Sequence, residues 1–271
     1  MFDMRNFILT SYFSLLNTRP TSKYLTSFIS FILFVFLLST SSLAFSFAVL
    51  GDSHDGWDTY ETILKKINAD KDIKFAINTG DFASNGKLKN YQKYIKISEK
   101  CRVPIYNVPG NHDESHGGYK YFSKFFGPFY YSFDYENAHF ILLNNAFKSD
   151  FDNKQYEWLI SDLKQNKKEK TFVFMHKPVF DSTEILPDYI MDNRRMTGLL
   201  IDTFKKYRVN YVMSGHLHTY ARAGRDGIVY IISGGAGGSL HLPYYMGGFN
   251  HYMKITVDSG KIADEVIKLD D

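Results

Sequence analysis

From Phe45 onward, short apolar runs alternate with amphipathic ones, and five of the apolar runs break into a turn that carries metal-binding side chains. The turns are Asp52-Ser53-His54, Gly80-Asp81, Gly110-Asn111-His112-Asp113, His176 and Gly215-His216-Leu217-His218. Such alternation predicts strands joined by helical crossovers, an α/β architecture. Strands are expected over 45–50, 74–78, 103–108, 171–175 and 210–213, with helices after Asp58 as a cap, over 87–100 and over 155–163. Ile63, Leu64 and Ile67 form the buried stripe of the first helix. The runs 130–135, 139–143, 228–232 and 252–257 follow one another with turns or loops between some of them, so part of the sheet should be antiparallel. Two packed mixed sheets flanked by helices, an α/β/β/α sandwich, accommodate this pattern.

In open α/β sheets the carboxyl ends of neighbouring strands converge on one crevice. Each of the five turns sits just past such an end, so side chains far apart in sequence are expected to meet there. Asp-x-His or Gly-His-x-His occurs in loops for other reasons, and it is the agreement of five turns that carries the reading. Carboxylate, amide and imidazole donors without a thiolate favour Mn, Fe, Zn or Co. Gly80 and Gly215 precede ligands where a sharp backbone turn is needed.

Composition narrows the alternatives. The 271 residues are 44% hydrophobic and 23% charged, which is globular, and a net charge of +3 is too small to imply a nucleic acid partner. Residues 45–271 read as one catalytic domain without linker or repeat. Cys101 is the only cysteine, so no intrachain disulfide forms, and it reads as a buried core residue. The 20 Tyr and 24 Phe read as compositional drift in a Lys-, Asn- and Ile-rich chain more than as a cleft lining.

Residues 1–44 read as an export leader. Arg5, Arg19 and Lys23 precede an uncharged stretch over 24–44, and Ser42-Leu43-Ala44 offers small residues for cleavage before Phe45. The same stretch is long enough to span a membrane, so an uncleaved anchor is the competing reading. Either way the basic residues stay in the cytoplasm and the domain lies outside it, extracytoplasmic.

The five turns and their order resemble the calcineurin-like metallophosphoesterase family over nearly the whole chain after Ala44. That resemblance implies two divalent metal ions, one held by Asp52, His54, Asp81 and His218 and the other by Asp81, Asn111, His176 and His216. Asp81 would bridge them. It further implies His112 beside the leaving group with Asp113 orienting it, and a small-molecule phosphoester substrate hydrolysed as a mono- or diester by water activated between the ions. Cyclic nucleotide or nucleotide phosphodiesterases of the same family are the neighbouring reading, and an inactive surface-binding module is the reading from another class.

Val173-x-x-His176 and Gln155-x-x-Trp158-Leu159 resemble the purple acid phosphatase branch. Two positions depart from it: Ser84 stands where that branch has a metal-binding tyrosine, and the first motif is Asp-x-His instead of Asp-x-Gly. The resemblance therefore implies no tyrosinate and no charge-transfer colour, with His54 taking the vacated coordination place.

Of the remaining candidates, His139 reads as structural and His116 as a solvent-facing loop residue. Arg222, Arg225, His241 and His251 could hold a phosphoryl or leaving group, but salt-bridged or exposed positions explain them as well. Ser233 to Ser239 reads as a flexible turn more than as an amide cradle. The loops 180–193 and 240–250 are expected to rim the mouth and select the substrate.

Overall fold

The computed structural model describes residues 44–147, 149–258 and 260–269; the leader reading over 1–44 lies outside them apart from Ala44. Among the described residues no helix is long and apolar enough to cross a membrane.

Two mixed sheets stack face to face. The first has strands β1 (Phe45–Leu50), β2 (Ile73–Asn78), β3 (Ile105–Asn107), β10 (His251–Asp258) and β11 (Lys261–Lys268), in the order β11-β10-β1-β2-β3. The second has β4 (Tyr131–Tyr135), β5 (Ala138–Leu142), β6 (Lys170–Phe174), β7 (Tyr211–Ser214), β8 (Tyr220–Arg225) and β9 (Ile228–Ser233), in the order β4-β5-β6-β7-β9-β8. β1, β2 and β3 run parallel, as do β5, β6, β7 and β9, while β4, β8, β10 and β11 join antiparallel. The mixed sandwich expected from the pattern is the observed fold.

Side chains alternate across each strand, so a strand buried on both faces is apolar throughout. In β1, Phe45, Phe47 and Val49 enter the layer between the sheets, whereas Ala48 and Leu50 face helices α1 (Trp57–Ala69) and α2 (Leu88–Ser98). β6 divides in the same way: Phe172 and Phe174 go between the sheets and Val173 faces the helices of the opposite outer layer. Those helices are α5 (Asn153–Gln165) and α6 (Arg194–Lys206), which follow the short α3 (Asn111–Glu114) and α4 (Tyr119–Phe126) in the chain.

The aromatic load has a packing use. Phe47 and Phe75 stack at 5.3 Å, Phe140 stacks on Phe172 at 5.2 Å, and the edge of Phe47 meets Phe140 at 5.2 Å, so phenyl rings interlock the two sheets. These rings fill the core between the sheets and do not line a cleft.

Three local expectations change. Asp58 lies inside the first turn of α1, and the cap position is Gly56. There a carboxylate interacts favourably with the helix dipole instead of capping. β3 is only three residues because Pro104, at its start, has no N–H to give the ladder, although its carbonyl accepts from Ala76. Cys101 is half-buried against the α1 and α2 layer instead of fully inside the core.

Candidate metal centre

The carboxyl ends of β1, β2, β3, β6 and β7 bring all seven expected ligands together. Three sets of donor atoms each lie within 4.8 Å of one another: Asp52, His54 and His218; His54, Asp81 and His112; Asp81, His176 and His216. Asn111 joins the last set, its Oδ1 being 3.0 Å from His176 Nε2. Asp81 belongs to two sets, and its Oδ2 lies 3.6 Å from His54 Nε2 and 3.3 Å from His176 Nε2.

Backbone carbonyls fix which ring nitrogen faces inward. Thr79 O lies 3.0 Å from His176 Nδ1, Ser239 O lies 2.7 Å from His218 Nδ1 and Ser84 O lies 2.9 Å from His112 Nδ1. A carbonyl only accepts, so each Nδ1 carries a proton and each Nε2 is the atom turned toward the centre. Burial pushes the His54 imidazole down to about 4, His218 to about 3 and His216 to about 2, so these rings are neutral and free to donate electrons.

The result is a cluster of imidazole, carboxylate and amide atoms facing one another. His176 Nε2 faces Asn111 Oδ1 at 3.0 Å, His216 Nδ1 at 3.2 Å and Asp81 Oδ2 at 3.3 Å. His54 Nε2 is buried without a hydrogen-bond partner. Asp52 is fully buried, and burial together with the Asp81 charge pushes its carboxyl well above the usual range. Burial would also raise Asp81, but the His176, His54 and His112 rings outweigh it and hold it low. A divalent cation is the partner that such donors fit, with oxygen and nitrogen atoms and no thiolate.

The backbone is shaped for this convergence. Asp52, His54, Asp81 and His216 all adopt left-handed φ values, between 47° and 68°. Non-glycine residues hold that conformation at a cost that the surrounding structure must over-determine, and such residues gather at functional sites. His216 N–H donates to both Asp52 carboxylate oxygens at 3.0 and 2.9 Å, and His112 N–H donates to Asp81 Oδ1 at 2.8 Å. Gly80 has φ +101°, as a sharp turn requires. Gly215 serves close approach instead, since a Cβ there would sit 2.3 Å from Asp52 Oδ2.

The expected pairing of Asp113 with the His112 ring gives way to another arrangement. Asp113 accepts from the N–H groups of Asp81, Ala83 and Gly110 at 2.7, 3.0 and 2.9 Å, tying the second and third turns together. The carbonyl of Ser84 orients His112 in its place. Ser84 itself donates its hydroxyl to Asp55 Oδ1 at 3.0 Å.

The glycine-rich run is packed. Ala236 N–H donates to Gly51 O and Gly238 N–H to Asp52 O at 2.7 Å, so the run clamps the first turn instead of flexing. His251 is buried beneath it on Ser233 and the Phe249 carbonyl. Arg222 forms a two-pronged pair with Asp264 on the surface, and Arg225 lies over the Phe180 ring. His116 is exposed, and His139 is bonded between Asp134 and Asp162. His241, by contrast, stacks on His218 with ring centroids 4.2 Å apart.

Two residues were not singled out from the sequence. Asn145 Oδ1 accepts from the N–H groups of His176 and Lys177, both at 3.0 Å, while its amide donates to Lys177 O. Lys177 Nζ pairs with Asp192 at 2.6 Å, drawing in the mouth loop over 180–193. The available signal was position: Asn144-Asn145 follows the apolar run of β5, which pairs with β6 just before His176.

The family model for calcineurin-like phosphoesterases matches residues 45–220, most of the described chain. The chain belongs to the calcineurin-like phosphoesterase family. Purple acid phosphatase 1 of Ipomoea batatas is 24% identical over 178 residues, covering 64% of this chain and 34% of its own. This family member thus spans about a third of that relative's length. Among solved structures, purple acid phosphatase PPD1 from yellow lupin (Lupinus luteus) seeds superposes with a TM-score of 0.71 at 18% identity, over 85% of this chain and 52% of its own. GAP50, described as the anchor in the inner membrane complex of Plasmodium, superposes with a TM-score of 0.65 at 14% identity, over 83% of this chain and 84% of its own. At these identities both solved structures support the phosphoesterase fold.

Proposed function

We propose that this chain is a metal-dependent phosphoesterase that hydrolyses small-molecule phosphate mono- or diesters. The observation that carries this reading is the convergence of imidazole and carboxylate ligand atoms into three overlapping sets, with His54 Nε2 buried among them without a hydrogen-bond partner. Asp52, His54, Asp81 and His218 would hold one divalent ion and Asp81, Asn111, His176 and His216 the other, with Mn, Fe, Zn or Co suited to the donors. When bound, two such ions lower the pKa of a water and neutralise phosphoryl charge.

The protein's own residues supply the rest. Asp81 sets the spacing between the two halves because its carboxylate reaches both. His112, with Nδ1 spent on the Ser84 carbonyl, has Nε2 available to hold a proton for the departing oxygen. Burial of Asp52 and Asp81 excludes competing water from the donors. The Ser84 hydroxyl points to Asp55, which supports a centre without tyrosinate and therefore a colourless protein even when loaded with ferric iron.

The fold alone does not carry an activity, as the likeness to a Plasmodium anchor illustrates. The donor set does. An extracytoplasmic location, by cleavage after Ala44 or by an uncleaved anchor, belongs to the same proposal and rests on the leader pattern. The test is hydrolysis of p-nitrophenyl phosphate and bis(p-nitrophenyl) phosphate with each metal added back to stripped protein. Metal-stimulated turnover of either ester is expected, and loss of neither metal nor turnover in Asp81→Asn would overturn the reading.

A further inference from the structure

The parallel strands deliver the metal ligands at their carboxyl ends, so their amino ends form the opposite pole of the domain. β1 begins at that pole. Phe45 pairs with Val257 there, and Ser46 N–H donates to Asp72 O at 3.2 Å. Any chain preceding Ala44 joins the domain at this point, and the six residues of β1 then run about 20 Å to the first ligand turn.

Basic side chains flank that point on both sides. Toward β2 and β3, Lys71 Nζ donates to Asn68 O at 3.3 Å, Lys74 Nζ to Lys71 O at 3.1 Å, and Arg102 to Asp70 O and Ile73 O at 2.9 and 3.1 Å. Across the domain, Lys170 at the start of β6 donates to Gly260 O at 2.8 Å, which brings it to the turn before Lys261, and Lys167 lies in the loop before β6. A carbonyl partner orients an ammonium or guanidinium group without neutralising its charge. Lys71, Lys74, Arg102, Lys167 and Lys261 are exposed. Of the acids at this pole, Asp70 pairs with Lys254 and Asp134 with His139, which leaves Asp72, Glu136, Glu169 and Asp258 among the cations. Asp52, Asp55, Asp81 and Asp113 all lie at the metal end.

We propose that this basic pole seats the domain on an anionic bilayer, with the metal centre turned away from the lipid and open to water-borne esters. Two observations favour a bilayer over a discrete anionic ligand. The cations come from separate loops on both sheets, so they present a surface. The uncharged stretch over 24–44, membrane-seeking as signal or as anchor, joins the domain at the same end. Each Lys or Arg held near an anionic bilayer adds roughly fivefold to partitioning, and salt screens that attraction. The inference does not depend on the hydrolase reading.

The test places the full-length protein in lipid nanodiscs of phosphatidylcholine, with or without phosphatidylglycerol, and reads lysine acetylation rates by mass spectrometry. Residues 1–44 have the same access to both discs, so a difference between them reports the charge of the lipid. With phosphatidylglycerol, acetylation of Lys71, Lys167 and Lys261 is expected to slow about fivefold and to recover in high salt. Lys120 and Lys124, exposed on α4 at the metal end, should react equally in both discs. Combining Lys71→Gln, Lys167→Gln and Lys261→Gln, all at exposed positions, should return Lys74 and Lys170 to their phosphatidylcholine rates. Equal rates for the polar lysines in the two discs, protection of Lys120 and Lys124 in their place, or protection of Lys74 and Lys170 that survives the triple substitution would overturn the proposal.

Discussion

Among the described residues, one cluster of histidine and aspartate at the strand ends and another at the edge of the second sheet are built on opposite principles. At the edge of the second sheet, His139 Nδ1 meets Asp134 at 2.6 Å and Nε2 meets Asp162 at 2.8 Å, and Ser132 donates to the other Asp162 oxygen at 2.6 Å. Every polar atom of that ring has a partner, so a proton on each nitrogen satisfies it. At the strand ends, backbone carbonyls take the outward N–H of His176 and His218, and the inward nitrogen of His176 faces the Asn111 amide oxygen, the Asp81 carboxylate and a second imidazole, His216. Proximity of imidazole to carboxylate therefore does not define a metal site. Which nitrogen the carbonyl claims, and what the other nitrogen faces, does.

The sharpest way to break this contrast is to remove the shared carboxylate. Asp81→Asn is expected to cost more than about a hundredfold in metal affinity and turnover, since losing even an outer partner of a ligand costs 10–100-fold. Equilibrium dialysis of metal alongside kinetics checks it, and the fold should persist because asparagine tolerates the left-handed φ of 51°. Next in size, Asn145→Ala releases the His176 and Lys177 amides and should lower kcat by about 10–100-fold, with bound metal less ordered but still present.

The edge cluster should respond in stability alone. His139→Ala leaves the half-buried Asp162 with only Ser132 and is expected to destabilise by about 1–3 kcal/mol, read from denaturant midpoints, with kcat/KM unchanged. A loss of activity at constant stability would erase the distinction between the clusters.

How legible these regions were differs for physical reasons. The strands with one or both faces in the core announced themselves through period-2 or continuous apolar runs, as in Phe45–Leu50 and Lys170–Phe174. β8, Tyr220–Arg225, was missed because it is a sheet edge whose outward residues are polar and small, and β11 was missed for a similar reason. α6 was overlooked although Met196, Leu200 and Phe204 recur at helical spacing. The convergence of the candidate ligands was readable because metal-binding side chains at neighbouring strand ends must meet. Their orienting partners were not, because Thr79, Ser84 and Ser239 act through backbone carbonyls that any residue possesses. Asp113 illustrates the limit: adjacency to His112 pointed to the ring, while its carboxylate serves three amides of neighbouring turns.

The smallest effect is in pH. Burial would lower His139, but the hydrogen bonds to Asp162 and Asp134 raise it above its ordinary value. Its contribution to stability is therefore complete below the unfolded value of about 6.5 and fades as pH rises through the higher folded value. The stability difference between the wild-type chain and His139→Phe should shrink by a fraction of its acid value between about pH 6 and pH 9. A difference that grows over that window would contradict the doubly bonded imidazolium.

The central claim is that the acceptor cluster holds two ions in one chain. Elemental analysis of purified, catalytically active protein measures this directly. Two equivalents of divalent metal per chain, falling together with phosphoester turnover on chelation, are the predicted result. Full activity with fewer than two equivalents would contradict it.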